Sequence, residues 1–591
     1  VFAALVSSPA IPAGYGGQAA DMPPVVVTGT RLGASLAEND RSVSVITSKE
    51  INRAILPSVP GLLSLCGADA PSRVPLGGQA DLGLRGSSFD QTLVMVDGIR
   101  INDPQTGHHN MDVPVPLAVI DHIEVLHGPG SSAHGADAFG GAVNLLTRRP
   151  GDTPVAASFR GGMFGTACAA LSTGQNWGGL GQGFSVEAAH SDGFREDRDF
   201  GLVTAASRTS FTGPLGSTGL TLGVTDRDFG AYDFYTPGRG FPSRERTRTM
   251  LAALSDGFKM GDADISAVAS VREHFDRFIL DRTNPAAYTN EHTTRVYEGG
   301  LQASGRPADW LAVACGGELA GDRITSLRLG NHWRPRRGLF GEVRLSPLEP
   351  LSLDAGLRHD LAGDAEAWSP SGGLSWWFLE SARFRASVGK SFRLPTFTDL
   401  YYRDPVNTGN PALLPEEALT YEAGSDWFPL EKTSVTLTFF ERDQKRTIDW
   451  IGPTSAGPWR AVNSEPMRFI GTEASVRTPW AGNDITLGFA WVSSRYSFSG
   501  FSKYALIYPD RRLAAGIGRP LALGISGRLG YEYRRRKDGS DASLLDCRLS
   551  RYFGQAEVFL EGTNLLNDRY EDIPGIPQPG IFVDAGLSYR L

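Results

Sequence analysis

From residue 151 onward, apolar and polar side chains alternate in long runs. In the last run Ile581, Val583, Ala585, Leu587, Tyr589 and Leu591 share one face, and Asp584, Gly586, Ser588 and Arg590 share the other. Leu351, Leu353, Ala355 and Leu357 alternate in the same way with Ser352, Asp354 and Arg358, and Phe384, Ala386 and Val388 with Arg383, Arg385 and Ser387. Leu220, Leu222 and Val224 repeat the pattern. Successive side chains of a strand point to opposite faces, so this period of two predicts strands that are greasy on one side and wet on the other. A soluble sandwich and a membrane barrel both have that pattern. Length separates them: the residues after 150 supply about 20 per strand and connection for roughly 22 strands, a size whose lumen is normally filled. A porin of about 16 to 18 strands would need longer loops and leaves the preceding segment unexplained.

Residues 25–150 have a different texture. Short apolar runs at 43–46, 93–96, 120–126 and 142–146 are separated by Asp-Gly, Gly-Pro and Gly-Gly, which predicts short strands and tight turns. Ser48 followed by Glu50 and Ile51 predicts a short capped helix, and residues 57–65 a second. A small α+β domain is expected. Residues 1–24 are expected to be a signal remnant or a disordered N-terminus, which leaves a domain over 25–150 and a barrel over 151–591.

Composition narrows the function. The 71 glycines imply many turns, and no run of roughly 18 apolar residues supports a membrane helix. With mean hydropathy of -0.19, only a closed barrel could span a bilayer. The net charge of -8 argues against a nucleic-acid partner, which needs a basic footprint. Cys66, Cys168, Cys315 and Cys547 form no C-x-x-C pair, so structural thiols are expected. Gly389, Lys390 and Ser391 make a GKS triplet, but Phe384 stands where a P-loop needs its first glycine. With no G-x-S-x-G and no H-E-x-x-H, an enzyme is not expected.

VVVTGTR at residues 25–31 is by itself either a strand or a binding segment. It is followed by LGLRGSSFDQTLVMVDGIRIND at 82–103 and IDHIEVLHGPGSSAHGADAFGGAVNLLTRRP at 120–150. FRLPTFTDLYY at 392–402, GNPALLPEEALTYEAG at 409–424, GTEASV at 471–476 and EGTNLLNDRYED at 561–572 come after them. In this order the segments resemble those of TonB-dependent outer-membrane receptors, and cobalamin receptors in particular. The resemblance implies a membrane β-barrel of about 22 antiparallel strands, with the N-terminal α+β domain inside the lumen as a plug. It also implies a multi-pass place in the outer membrane of a Gram-negative-type bacterium, in contact with its lipid. Import would be driven by TonB and its inner-membrane energising complex.

The same resemblance supplies candidate residues. Val25, Val26, Val27, Thr28 and Gly29 would form the TonB box, an extended segment able to add a strand to the partner. Arg85 would meet Glu422 and Glu473 in a latch between plug and barrel, with His127 where an arginine is common. That histidine is expected to be either an ordinary hydrogen-bonded one or a pH switch. Ligand contacts are expected from plug loops 72–81 and 102–113, through Arg73, Gln105, His108, His109 and Asn110, although the second loop could equally be only solvated. No metal site is expected, because neighbours such as His108 and His109 rarely both point inward. No cofactor is required. Acidic loops at 192–199 and 226–233 resemble calcium-binding loops, but Arg195, Arg198 and Arg227 partly neutralise them. A corrinoid is the first expected ligand, partly on the YDFYTP segment at 232–237, and a ferric siderophore the second. The absence of histidine between Phe392 and Pro411 counts against haem. A barrel with a structural role in an envelope complex is the remaining alternative.

Overall fold

Each alternating segment pairs with its neighbours in sequence, as the short links between them require. In the computed structural model 22 strands close into one antiparallel barrel. Closure joins Ala156–Gly162 to Phe582–Arg590, with Asp584 opposite Gly162 and Arg590 opposite Ala156. The structure describes residues 28–33, 35, 38–55, 57–214, 216–497 and 500–591. The expectations for residues 1–24 and for Val25, Val26 and Val27 lie outside these. At one end of the barrel the links are tight, as at 178–179 and 261–262. At the other they are long, as at 231–243, 394–415 and 446–466.

The faces of the strands distinguish a barrel in lipid from a soluble sandwich. Leu220, Leu222, Leu357, Phe384 and Leu587 are exposed, while Arg383, Arg385 and Asp584 on the alternate positions are buried. A soluble sandwich would have the reverse. An apolar outer wall is stable only against lipid, and its polar inner wall can line water or another polar surface. Trp177, Trp310, Trp376, Trp427, Trp480 and Tyr552 lie exposed near the tight-turn end. Amphipathic rings of this kind gather at a membrane–water boundary. No helix among the described residues is long and apolar enough to cross a membrane.

Inside the barrel sits a five-stranded mixed sheet: β1 (Ser42–Ile46), β2 (Thr92–Val96), β3 (Ile99–Arg100), β4 (Ile120–His127) and β5 (Gly141–Thr147), in the order β1-β4-β5-β2-β3. Four of the five follow the predicted apolar runs. β3, only two residues long, carries no period to read. Helix α1 (Ser48–Arg53) starts one residue earlier than expected because Thr47, not Ser48, caps it: Thr47 Oγ1 accepts from the Glu50 amide, and the Glu50 carboxylate accepts from the Thr47 amide. Helix α2 (Val59–Ser64) is capped by Ser58. Ile46, Leu63, Leu84, Val94, Val125, Val143 and Leu145 form a core inside this domain, touched from the wall by Leu251 and Ala253.

Candidate functional site: the plug and its contacts with the wall

Leu84, Arg85, Gly86 and Ser87 form a tight turn at the start of the LRGSS segment. Arg85 and Gly86 both take left-handed backbone angles, φ 53° and φ 75°. Ser87 closes the turn twice, its amide donating to the Leu84 carbonyl at 2.9 Å and its hydroxyl accepting from the Leu84 amide at 2.8 Å. The turn projects the Arg85 guanidinium onto the wall. There Nη1 donates to Glu422 Oε2 at 2.6 Å, and Nε and Nη2 donate to Glu473 Oε2 at 3.0 and 2.6 Å. Arg85 also lies over the Phe440 ring, 4.6 Å from its centroid. Arg385 on the wall shares Glu422 and reaches Asp426. Burial would favour a neutral Arg85, but Glu473 and Glu422 raise its pKa and keep it charged.

The structure brings all four predicted latch residues together, with His127 in a lesser place. Its Nδ1 stands 3.8 Å from Glu473, beyond hydrogen-bonding range, while Nε2 is 3.1 Å from the Ser44 hydroxyl. Burial, with the nearby Arg85 charge, lowers its pKa despite Glu473. His127 is therefore a neutral, hydrogen-bonded histidine at pH 7.

A second set of moorings was not predicted, and its charge sense is opposite. Plug carboxylates Asp69, Asp97, Asp103 and Asp112 meet wall arginines Arg536, Arg208, Arg272 and Arg227 at 3.0, 3.2, 2.8 and 2.9 Å. The signal was present in the inward-facing arginines of the alternating strands. Their partners become legible only once the register is fixed.

At the tight-turn side, Thr28 is fully buried. Its amide and hydroxyl both donate to Glu124 Oε2, at 2.9 and 2.6 Å, and its carbonyl lies 2.9 Å from His134 Nε2. A Cβ added at Gly29 would stand 2.4 Å from the Asn39 side chain, so this stretch of chain fits closely against the plug.

The long-loop face is built differently. All five predicted ligand residues are buried rather than solvated. Arg73 donates to Asp81 at 3.1 Å, and His108 Nδ1 is 2.7 Å from the other oxygen of the same carboxylate. Burial would raise the Asp81 pKa, but Arg73 and then His108 hold it down at about 2. His108 stacks on Phe89 at 4.0 Å, with the Tyr504 ring 5.9 Å away. Asn110 is spent on main chain, accepting from the Asp103 amide and donating to the Phe89 carbonyl. Gln105 reaches Asp276 of the wall at 3.3 Å. Beside this surface a small polar cavity of about 30 Å³ lies between plug and wall, lined by Asp90, Asn102, Asp137, Asp322, Arg334 and Arg336 among others.

The acidic loops have arginine partners. Asp226 holds Arg246 and Arg248, Asp199 and Asp228 share Arg244, and Asp197 holds Arg282. Part of the second loop is strand, since Gly216–Gly230 runs through Asp226. These four carboxylates are each paired with arginine, while Asp233 accepts from the Gly240 and Phe241 amides.

Comparison with known proteins accounts for the wall and the plug separately. Residues 320–591 match the family model described as TonB dependent receptor-like, beta-barrel, and residues 35–142 match the TonB-dependent Receptor Plug Domain. The chain belongs to the TonB-dependent receptor family. It is accordingly an outer-membrane transport protein, and its long loops face the outside of the cell. The vitamin B12 transporter BtuB of Vibrio vulnificus strain CMCP6 is 26% identical over 467 residues, which is 74% of this chain and 72% of that protein. BtuB of Photobacterium profundum is 24% identical, covering 79% and 76%. Among solved structures, the siderophore receptor PirA from Acinetobacter baumannii superposes with a TM-score of 0.77 at 15% identity, covering 93% of this chain and 98% of that one. The FrpB iron transporter from Neisseria meningitidis (F3-3 variant) gives 0.78 at 15%, covering 94% and 100%. At such identity these two show the shared fold alone.

Proposed function

We propose that this receptor imports a corrinoid across the outer membrane. The observation that carries the reading is likeness to vitamin B12 transporters along most of both chains. In this reading Val25–Gly29 adds as a strand to an edge strand of TonB, Thr28 leaves Glu124 and His134, and the pull reaches the plug. The Arg85–Glu422–Glu473 cluster acts as the latch that keeps the plug seated until then.

Two experiments test this. Small molecules retained by receptor purified from its native membrane are identified by mass spectrometry and confirmed by competition binding. A retained corrinoid supports the reading; a retained ferric chelate with no corrinoid binding overturns it in favour of a siderophore. Deletion of residues 25–28 should abolish uptake while leaving surface binding intact. Uptake that survives the deletion overturns the TonB step.

A further inference from the structure

The adjacent histidines of the plug loop part ways. His108 turns to Asp81, while His109 enters a pocket between the plug and the wall strands Arg244–Met260 and Ala263–Ile279. One donor atom each from His109, Asp112 and His274 lies within 4.8 Å of the other two. His109 Nδ1 is 3.8 Å from Asp112 Oδ2, and His274 Nδ1 is 3.9 Å from the same oxygen. These separations are too long for hydrogen bonds. The His109–Asp112 separation is a few tenths of an ångström above the roughly 3.4 Å between tetrahedral donors that sit about 2.0 to 2.1 Å from a metal, and His274, whose Nδ1 is engaged with Thr249, has Nε2 left to offer.

Each of the three has one atom without a partner among the described residues, and in Asp112 and His274 the other atom is hydrogen-bonded. Asp112 Oδ1 accepts from Arg227 at 2.9 Å, while Oδ2 is unpartnered. His274 Nδ1 is 2.8 Å from the Thr249 hydroxyl, while Nε2 is unpartnered. His109 Nε2 faces Asp276 at 3.6 Å, while Nδ1 is unpartnered. All three residues are more than nine-tenths buried, where an unmatched polar atom is costly. Outer partners that fix ring orientation and leave a free lone pair are the usual support of a metal-ligating imidazole. Wall carboxylates Glu245 and Asp276, also buried, add negative charge that a cation offsets.

We propose that His109, Asp112 and His274 bind a divalent transition-metal ion of the zinc class, which joins the plug loop to the barrel wall at the extracellular face. Two imidazoles and one carboxylate suit such an ion and leave a fourth position for water or a ligand atom. The corrinoid reading is not needed for this site.

The test uses full-length receptor in detergent, stripped with a chelator and dialysed against Zn2+, with bound metal measured by mass spectrometry. Co2+ serves as a second probe, because its visible bands report nitrogen and oxygen ligation. About one Zn2+ per chain is expected for the wild type. His109→Ala and His274→Ala should abolish it, and Thr249→Val should weaken it roughly 10- to 100-fold. His108→Ala should leave it unchanged. If an alanine variant does not yield a folded barrel, near-isosteric Asp112→Asn decides by the same loss. No stoichiometric metal on the wild type overturns the site, as does equal loss in His108→Ala and His109→Ala, or full retention in Asp112→Asn.

Discussion

Arg85 of the plug and Glu422 of the wall meet at 2.6 Å with both side chains shut off from solvent. Breaking a buried pair by removing one member leaves the other charge stranded, at a cost of about 3 to 5 kcal/mol. Arg85→Ala should lower plug stability by that order and raise ion conductance through reconstituted barrels. The paired replacement Arg85→Met with Glu422→Leu should cost clearly less than the two single changes added. Additive losses in denaturant unfolding would contradict the pairing.

Gly86 follows Arg85 at φ +75°, where a Cβ would lie 3.0 to 3.2 Å from Phe469 and Val492. Gly86→Ala adds a left-handed strain of about 1 to 3 kcal/mol to that crowding. Unfolding of the plug should shift by at least this amount, with the outer wall unaffected. An unchanged midpoint would show that the turn can rearrange.

His122 in β4 stands 2.8 Å from Asp121 and 3.4 Å from Glu124, the carboxylate that holds Thr28. Burial opposes its charge, but the Asp121 and Glu124 contacts prevail and raise its pKa from 6.5 to about 9. A raised histidine pKa contributes stability that is full below 6.5 and is lost as pH rises through about 9. Protection of the plug amides, taken relative to the intrinsic exchange rate at each pH, should therefore fall across that interval in the wild type and lose this dependence in His122→Gln. An identical profile in the variant would remove His122 from the account.

Leu222 faces outward on the strand Gly216–Gly230. Leu222→Arg should destabilise the membrane-inserted barrel by about 2 to 4 kcal/mol, the cost of a cation near the bilayer midplane. Unfolding from lipid vesicles measures it. A negligible change would place this residue at the interface.

The period of two at Phe384, Ala386 and Val388 was legible as strand, and so was the break in texture near residue 150. Which face meets lipid was not, because alternation is the same in both cases until burial is known. The contact of Arg85 with Glu422 and Glu473 was expected from the order of the family-like segments around them. Asp103 and Arg272 could not be paired from sequence, since their meeting depends on the register of 22 strands and the seat of the plug within them. Residues 102–113 read as a polar loop because their composition is polar. The wall buries them, and only a partner surface distant in sequence could have revealed that.

The inner wall presents mostly ions where a soluble core would present hydrocarbon, with Leu251 and Ala253 among the few apolar contacts it offers the plug. The plug's own sheet encloses Val94, Val125 and Val143, and its outer skin is fastened by separate charged tethers. These tethers are separate ion pairs on different wall strands, so losing one leaves the others in place.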